Sequence, residues 1–238
     1  MSLYRDQGVV VRTMRLGEAD RIVTIVTAGH GKVRAVAKGV RRTNSKFGGR
    51  LEPLSHVALL CWAGRELDIV NQAEVLDSFR SVRADLHRVN QAYTLLEVCD
   101  QLAQQGHPNP RLYEMLVGAL RVLDDGDPAL LVSAFLLKVL ALEGSAPVLD
   151  QCVACGAPDD LVAFDLVEGG VLCRSCRRGR PVSPDALALL RRILGGGLTA
   201  ALAEPPSPTT AEVAELAAEA MEVHLDRRLR SIHSGPVP

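Results

Sequence analysis

The sequence predicts an α+β protein of several domains: an N-terminal OB-fold β-barrel, an α-helical body, and a four-cysteine module inserted in that body. β-Branched runs with a period of two fill the first third of the chain. From residue 80 the apolar residues recur with a helical period, and two Cys-x-x-Cys pairs interrupt the helical part. We therefore expect domains at residues 1–79, 80–149, 150–180 and 181–238.

The barrel is predicted from five short strands within about seventy residues, which is too few for a sandwich. A tight turn, Ala28-Gly-His-Gly31, joins the second and third strands. Trp62 ends the fourth strand and is expected in the core, whereas Phe47 either anchors a loop or stacks on a base. The predicted strands cover residues 8–14, 21–27, 32–38, 56–62 and 66–75.

The helical body is predicted from periodicity and capping residues. One apolar stripe runs from Val82 to Cys99, and Pro110 opens a second helix. Asp127 is expected to cap a third helix that runs to Glu143, and Ser183 to cap a fourth. A last helix is expected from about residue 210 to residue 232, after a proline-rich break.

Four of the six cysteines form the pattern Cys-x-x-Cys, seventeen residues, Cys-x-x-Cys. A two-residue gap lets both thiolates of a pair reach one ion, and a hairpin between the pairs folds them together. Four protein ligands leave no open position for water, so a bound Zn²⁺ would be structural. Redox pairs or disulfides are the alternative. The expected ligands are Cys152, Cys155, Cys173 and Cys176, while Cys61 and Cys99 are expected in the core.

Charge is distributed unevenly along the chain, although the formal net charge is only −1. Residues 1–50 hold eleven Lys and Arg against three Asp and Glu, and the remainder holds sixteen against twenty-five. In the third strand, alternation places the cations on one face and small apolar residues on the other. A long loop with more cations follows, so the segment predicts a polyanion-binding surface; an unevenly charged solvated face is the plain alternative. The expected DNA-binding residues are Lys32, Arg34, Lys38, Arg41, Arg42, Lys46 and Arg50.

Motifs of catalysis and of membrane insertion are missing from the sequence. It contains no GxxxxGK[ST], HExxH or GxSxG motif, and its histidines form no ligand cluster, so we expect no enzyme. No apolar run reaches the ~18 residues that cross a bilayer, and the N-terminus has no secretory signal. The expected location is the cytoplasm, near the nucleoid, with no membrane partner.

Several N-terminal motifs resemble the signature of the RecO family of bacterial recombination mediators, and the order of domains is similar over essentially the whole chain. The family motif is matched by Gly8-Val-Val-Val-Arg12, Gly17-Glu-Ala-Asp-Arg-Ile-Val23, Thr27-Ala-Gly-His-Gly-Lys32, Ala37-Lys-Gly-Val-Arg-Arg42 and Ser45-Lys-Phe47.

The resemblance implies binding of single- and double-stranded DNA, annealing of complementary strands, and action with RecR and often RecF. It also implies help for RecA in replacing the single-stranded DNA-binding protein, SSB, whose acidic C-terminal tail family members contact through the helical body. A surface that binds an acidic tail needs cations to pair with its carboxylates. The candidates for that contact are Arg83, Arg88, Arg111 and Arg121.

Two other functions fit the motifs without the resemblance. An OB barrel, a basic loop and a zinc module also suit an RNA-binding protein of the translation or transcription apparatus. The basic patch could instead dock an acidic protein, with DNA binding incidental.

Overall fold

The computed structural model describes residues 2–233; the predicted last domain, which runs to residue 238, extends beyond them. The chain divides into two compact units. The first contains residues up to Asp125 together with those from Arg230 onward, and the second is Gly126–Leu229.

The first unit begins with a closed five-stranded barrel in the order β1-β2-β3-β5-β4, as predicted. Only β3 and β5 pair in parallel, through Ala35 with Asp68 and Val36 with Ile69; the other neighbours are antiparallel. The strands are β1 (Leu3–Leu16), β2 (Asp20–Thr27), β3 (Gly31–Ala37), β4 (His56–Trp62) and β5 (Asp68–Asp77).

Strand β1 closes the barrel because it pairs with β4 through its first half and with β2 through its second. A bulge between Val10 and Arg12 bends it between the two partners. Alternate side chains of all five strands fill the interior, which contains Val23, Ile25, Val57 and Cys61. Cys61 and Cys99 are both fully buried, as expected for core residues.

Three helices follow the barrel within the first unit: α1 (Arg80–Ala84), α2 (Leu86–Leu102) and α3 (Pro110–Asp125). The apolar stripe from Val82 to Cys99 predicted one continuous helix. This prediction is wrong at Asp85, where the backbone is extended and the helix is interrupted. The Asp85 carboxylate accepts hydrogen bonds from the backbone N–H groups of His87 and Arg88, so it ends one helix and caps the next. Leu86, expected on the apolar stripe, is exposed.

Helices α2 and α3 pack against the outer side of the barrel at β1 and β2. The outward side chains of β2, which are Ile22, Thr24 and Val26, are buried as a result. The register identifies them as outward because they pair with Val36, Arg34 and Lys32, on the face opposite the buried Val33, Ala35 and Ala37.

The second unit combines helices with a small sheet. Helices α4 (Leu131–Leu142) and α5 (Pro184–Leu194) pack on α7 (Pro208–Leu225), and α6 (Leu198–Leu202) packs on α5. Between α4 and α5 lies a three-stranded sheet in the order β7-β6-β8. Its strands are β6 (Leu161–Asp165), β7 (Gly170–Cys173) and β8 (Arg180–Pro181).

Several predicted helix ends in this part of the chain differ from the structure. Helix α4 begins after Leu130, so Asp127 is not its cap. The Ser183 cap is confirmed, since its hydroxyl accepts from the backbone N–H of Ala186. The predicted last helix breaks at Asp226, whose φ of 49° is left-handed, and a short α8 (Arg230–His233) follows in the first unit. Helix α6 was not predicted from the sequence.

Helix α8 is held by one carboxylate of α2. Glu97 accepts the backbone N–H groups of Arg230 and Ser231 and the Ser231 hydroxyl, at 3.0, 2.9 and 2.7 Å. Between residues 2 and 233, no helix is both long and apolar enough to cross a membrane.

Candidate nucleic-acid interface and metal centre

Strand β3 presents its cations outward, as the alternation predicts. Val33, Ala35 and Ala37 are buried in the barrel, whereas Lys32 and Arg34 point to the other face. Lys38, which follows the strand, is exposed.

Lys32 is already paired with a carboxylate of the same unit. Its ammonium lies 3.3 Å from Asp100 Oδ1 on α2 and also donates to the Asp100 carbonyl oxygen. Arg12 shares this carboxylate, with Nε 3.4 Å from Asp100 Oδ2. Both contacts arise because α2 packs beside β1 and β2, which the sequence of the strand does not reveal. Lys32 is therefore the least available of the seven predicted cations.

The basic loop, which we define as residues 38–55, is anchored in the barrel rather than free. Phe47 and Leu51 belong to the barrel core and are each only 1% exposed, and Leu54 is also buried. This resolves the two alternatives for Phe47, because a ring this deeply buried cannot stack on a base. Burial of these three side chains fixes the positions of the cations in the basic loop.

The cations of the basic loop bind backbone carbonyls and not carboxylates. Arg41 donates to the carbonyl of Glu18 at 2.9 Å, and Arg50 to that of Lys46 at 2.7 Å. Lys46 donates to the carbonyl of Asn71 at 2.7 Å and lies 4.9 Å from the centre of the Phe47 ring. A carbonyl orients a cation without neutralising it, so these side chains remain positively charged.

Three further predicted cations, Arg34, Lys38 and Arg42, have no carboxylate within ion-pair distance among residues 2–233. Together with Arg41, Lys46 and Arg50 they make six cations without a carboxylate partner on β3 and the basic loop. The cations that cluster along the sequence therefore also remain without carboxylate partners in the described fold.

A groove of about 480 Å³ lies between the basic loop and β5. Lys46 and Arg50 line it on the loop side, and residues 71–75 line it on the strand side. The groove exists because β5 pairs with β3 only at Asp68 and Ile69, so its continuation beyond that point has no neighbour on that side. Its two cations suit a phosphate-bearing chain, and Glu74 places one carboxylate on the strand side.

Trp62 was expected in the core and is instead 38% exposed. The correction follows from strand alternation: Val57, Leu59 and Cys61 point into the barrel, so Trp62 points out. The alternation of side chains in β4 therefore places Trp62 outside the barrel, so the predicted core position is wrong.

The four predicted zinc ligands come together at one end of the small sheet. All four sulfur atoms lie within 4.8 Å of one another, so the cluster could hold a metal ion. A tetrahedral Zn²⁺ with Zn–S bonds of ~2.3 Å has sulfur–sulfur edges of ~3.8 Å. The Sγ atoms of Cys155 and Cys173 are 3.7 Å apart, which fits this edge and is far too long for a disulfide.

Two local turns shape the cysteine cluster. The backbone N–H of Gly156 donates to the carbonyl of Cys152 at 2.8 Å, and Gly156 has a φ of 76°, which favours glycine. The second pair stands at the end of β7 and on the 3₁₀ turn Arg174–Cys176. The β6–β7 hairpin joins the two pairs, as the sequence predicts.

The four thiols cannot all ionise easily without a cation. Backbone N–H groups, first that of Cys173, lower the pKa of the Cys152 thiol to about 6. The neighbouring sulfurs, first Cys155, raise the pKa of Cys176 to about 12. A divalent ion would supply the charge that lets all four thiols ionise together.

The arginines of the cysteine module are partly used in ion pairs of the second unit. Arg180 pairs with Glu215 and Glu219 of α7, and Arg178 with Asp165 at 2.7 Å. Arg174 and Arg177 are exposed. The module therefore offers fewer available cations than its sequence suggests.

Three of the four arginines considered for a carboxylate tail also have partners. Arg83 donates to the carbonyl of Pro53, Arg88 to carbonyls at the end of α3, and Arg121 pairs with Asp77 at 3.5 Å. Arg111 is exposed. The first three hold the first unit together, so they are weak candidates for a peptide contact.

Two family models match the chain. The model described as Recombination protein O N terminal matches residues 1–79, and the one described as Recombination protein O C terminal matches residues 83–233. The first match covers the barrel, and the second covers the helices and the cysteine cluster.

Proposed function

Because the chain belongs to the recombination protein O (RecO) family, whose members mediate DNA recombination and repair, we propose that it binds DNA through β3 and the basic loop. The substrates are single- and double-stranded DNA. The residues that make contact are Arg34, Lys38, Arg41, Arg42, Lys46 and Arg50, with Lys32 once it leaves Asp100.

The single observation that carries this proposal is the set of six cations without a carboxylate partner on an anchored loop and its strand. When these side chains bind phosphates they release the cations condensed on the DNA, so affinity falls steeply as salt rises, with a slope near −0.7 for each phosphate contacted on a single strand. Contacts of this kind go to the backbone and carry no sequence information.

Annealing follows from the same contacts. Cations that shield phosphates lower the repulsion between two strands, and backbone binding leaves base edges free to pair. The protein needs no catalytic residue for this step, so we propose a mediator that is not an enzyme.

The four cysteines hold one structural Zn²⁺ in this proposal. The fit rests on the 3.7 Å sulfur–sulfur distance and on the closed set of four ligands. The ion would fix the β6–β7 hairpin to the segment that contains Cys152 and Cys155, and it would take no part in DNA chemistry.

The partners we propose are RecR, in many settings RecF, and the acidic tail of SSB, and the outcome is loading of RecA on SSB-coated DNA. The support is membership of the family. The position of the SSB-tail contact is open, although Arg111 is the most available of its four candidates.

The test is annealing of complementary strands, bare and coated with SSB, with and without RecR, over a series of salt concentrations. The variant Lys38→Glu/Arg42→Glu reverses two exposed charges that have no carboxylate partner in the described chain. We expect it to fold normally and to lose annealing at all but the lowest salt. Arg41 is avoided because its side chain also braces the β1–β2 turn.

The matched control is Arg228→Glu/Arg230→Glu, which makes the same change of charge at exposed sites outside β3 and the basic loop. It should anneal like the unaltered protein. Normal annealing by the Lys38→Glu/Arg42→Glu variant would remove the assignment of the surface, and strong preference for structured RNA over single-stranded DNA would favour an RNA-binding function instead.

A further inference from the structure

An apolar row crosses the outside of the barrel. Cross-strand pairing takes it from β1 through β4, β5, β3 and β2, and back to the far end of β1. Trp62, Ile69 and Val36 lie on the outward face, because Cys61, Val70 and Ala37 beside them point inward. In order, the row is Leu3, Trp62, Ile69, Val36, Ile22 and Met14.

The row is covered at β2 and open elsewhere. Ile22 is buried, and α2 and α3 contact β2. Leu3, Trp62 and Met14 are each more than a third exposed, and Val36 and Ile69 are half-buried. OB folds bind nucleic acid mainly across their second and third strands. Here the outer face of β2 is buried by the protein's own helices, so that route is closed and the open face is β3–β5–β4.

Cations flank the open part of the row. Arg34 lies two residues before Val36 on the same side of β3, Lys38 follows the end of the strand, and neither has a carboxylate partner in the described chain. Adjacent strands are ~4.8 Å apart, so the backbones at Val36 and Trp62, two strands apart, are separated by about 10 Å. An aromatic ring and two cations thus share one small face.

We propose that Trp62 is a base-stacking platform for single-stranded DNA, with Arg34 and Lys38 on the neighbouring phosphates and Ile69 and Val36 supporting the bases between them. The inference rests on the proposed function and specifies the path of the strand over the barrel. Single-stranded nucleic acid is the occupant because only it combines π-faces with a regular row of negative charge.

The distribution of charge sets the direction of the strand. Glu74 lies further along the outward face of β5, beyond Gln72, and would repel a phosphate chain. The strand therefore leaves Trp62 toward Arg34 of β3 and Lys38. This joins the stacking residue to the cations already assigned.

Trp62 is the single tryptophan of the chain, so its fluorescence reports on this face alone. The experiment titrates the full-length protein with a short oligothymidylate and with an abasic oligonucleotide of equal phosphate number. We expect the oligothymidylate to quench the emission of Trp62, and the abasic strand to bind more weakly and leave the emission unchanged. DNA affinity is measured in parallel from the anisotropy of a dye on the oligonucleotide.

Two variants separate stacking from charge. Trp62→Ala should weaken oligothymidylate binding by roughly five- to a hundredfold, which is the range for one lost base–aromatic contact. Its salt slope should be unchanged, because no phosphate contact is lost. Trp62→Phe should retain most of the affinity. Lys38→Gln should instead reduce the magnitude of the slope by about 0.7.

The outcomes distinguish this inference from the function on which it rests. If oligothymidylate binds tightly while Trp62 emission stays constant, or if Trp62→Ala binds like the unaltered protein, the stacking site is wrong and DNA binding by the basic loop stands. Equal quenching by the abasic strand also overturns stacking. If the unaltered protein binds neither strand, the proposed function itself is wrong.

Discussion

Asp100 on α2 holds Lys32 of β3 in an ion pair of 3.3 Å, and the same carboxylate lies 3.4 Å from the Nε of Arg12. Two cations of the barrel are therefore neutralised by a helix of their own unit. A DNA phosphate that approached β3 would compete with this carboxylate for Lys32.

The Asp100→Asn variant tests that competition. Loss of the carboxylate frees Lys32 and Arg12, so we expect tighter binding of single-stranded DNA and a salt slope steeper by about 0.7 for each cation that gains a phosphate. Stability should fall by about 1–3 kcal/mol, since a half-buried cation loses its charged partner. Salt-dependent affinity and urea denaturation measure the two effects. An unchanged affinity and slope would place both cations outside the DNA path.

Phe47 anchors the basic loop, so its replacement should affect stability first. Phe47→Ala removes a fully buried ring from the barrel core, and we expect a loss of about 3–5 kcal/mol in the free energy of unfolding. Phe47→Leu, the matched control, should lose less and keep DNA affinity, because a base-stacking role is not involved. Weak DNA binding by folded Phe47→Leu would mean that the ring itself contacts DNA.

The metal site should contribute to stability rather than to DNA affinity. Cys152→Ser removes one ligand of the four, and we expect loss of bound zinc and of metal-dependent stabilisation, about 4 kcal/mol at free zinc a thousandfold above the dissociation constant. Metal analysis and thermal melting measure this. DNA affinity of the folded fraction should change little. A larger effect on affinity than on stability would point to DNA contact by Arg174 and Arg177.

His56 makes the first unit sensitive to acid. Its Nε2 lies 2.7 Å from the Tyr113 hydroxyl, and burial, aided by Arg121 and opposed by Asp77, lowers its pKa from 6.5. Below about pH 6.5 the unfolded chain therefore binds more protons than the folded chain. The stability that neutral His56 contributes to the fold is complete above that pH and declines as the pH falls. Nδ1 is buried and finds no hydrogen-bond partner within residues 2–233, which leaves an added proton unsatisfied.

The His56→Gln variant checks this dependence, because glutamine can still bond to Tyr113 and does not titrate. Urea denaturation at pH 7.5 and pH 5.0 should show a larger loss of stability for the unaltered protein than for the variant. Equal losses would mean that other groups cause the acid sensitivity.

The elements that the sequence predicted are those that local chemistry decides. The five strands follow from β-branched residues and turns, the outward cations of β3 from alternation, and the cysteine cluster from the spacing of its two pairs. The start of helix α5 was predicted correctly because Ser183 marks it. Where a local signal was weak, as at Asp85 and Leu130, the predicted helix ends were wrong.

The sequence by itself thus determined the barrel, the cysteine cluster and the segment that bears the positive charge. Tertiary structure alone decided which cations remain available and which face of the barrel is open. The reason is that both depend on contacts between residues far apart in the chain, such as Lys32 with Asp100 and α2 with β2. Periodicity reports which side of a strand faces the core, but it cannot report what later packs against the other side.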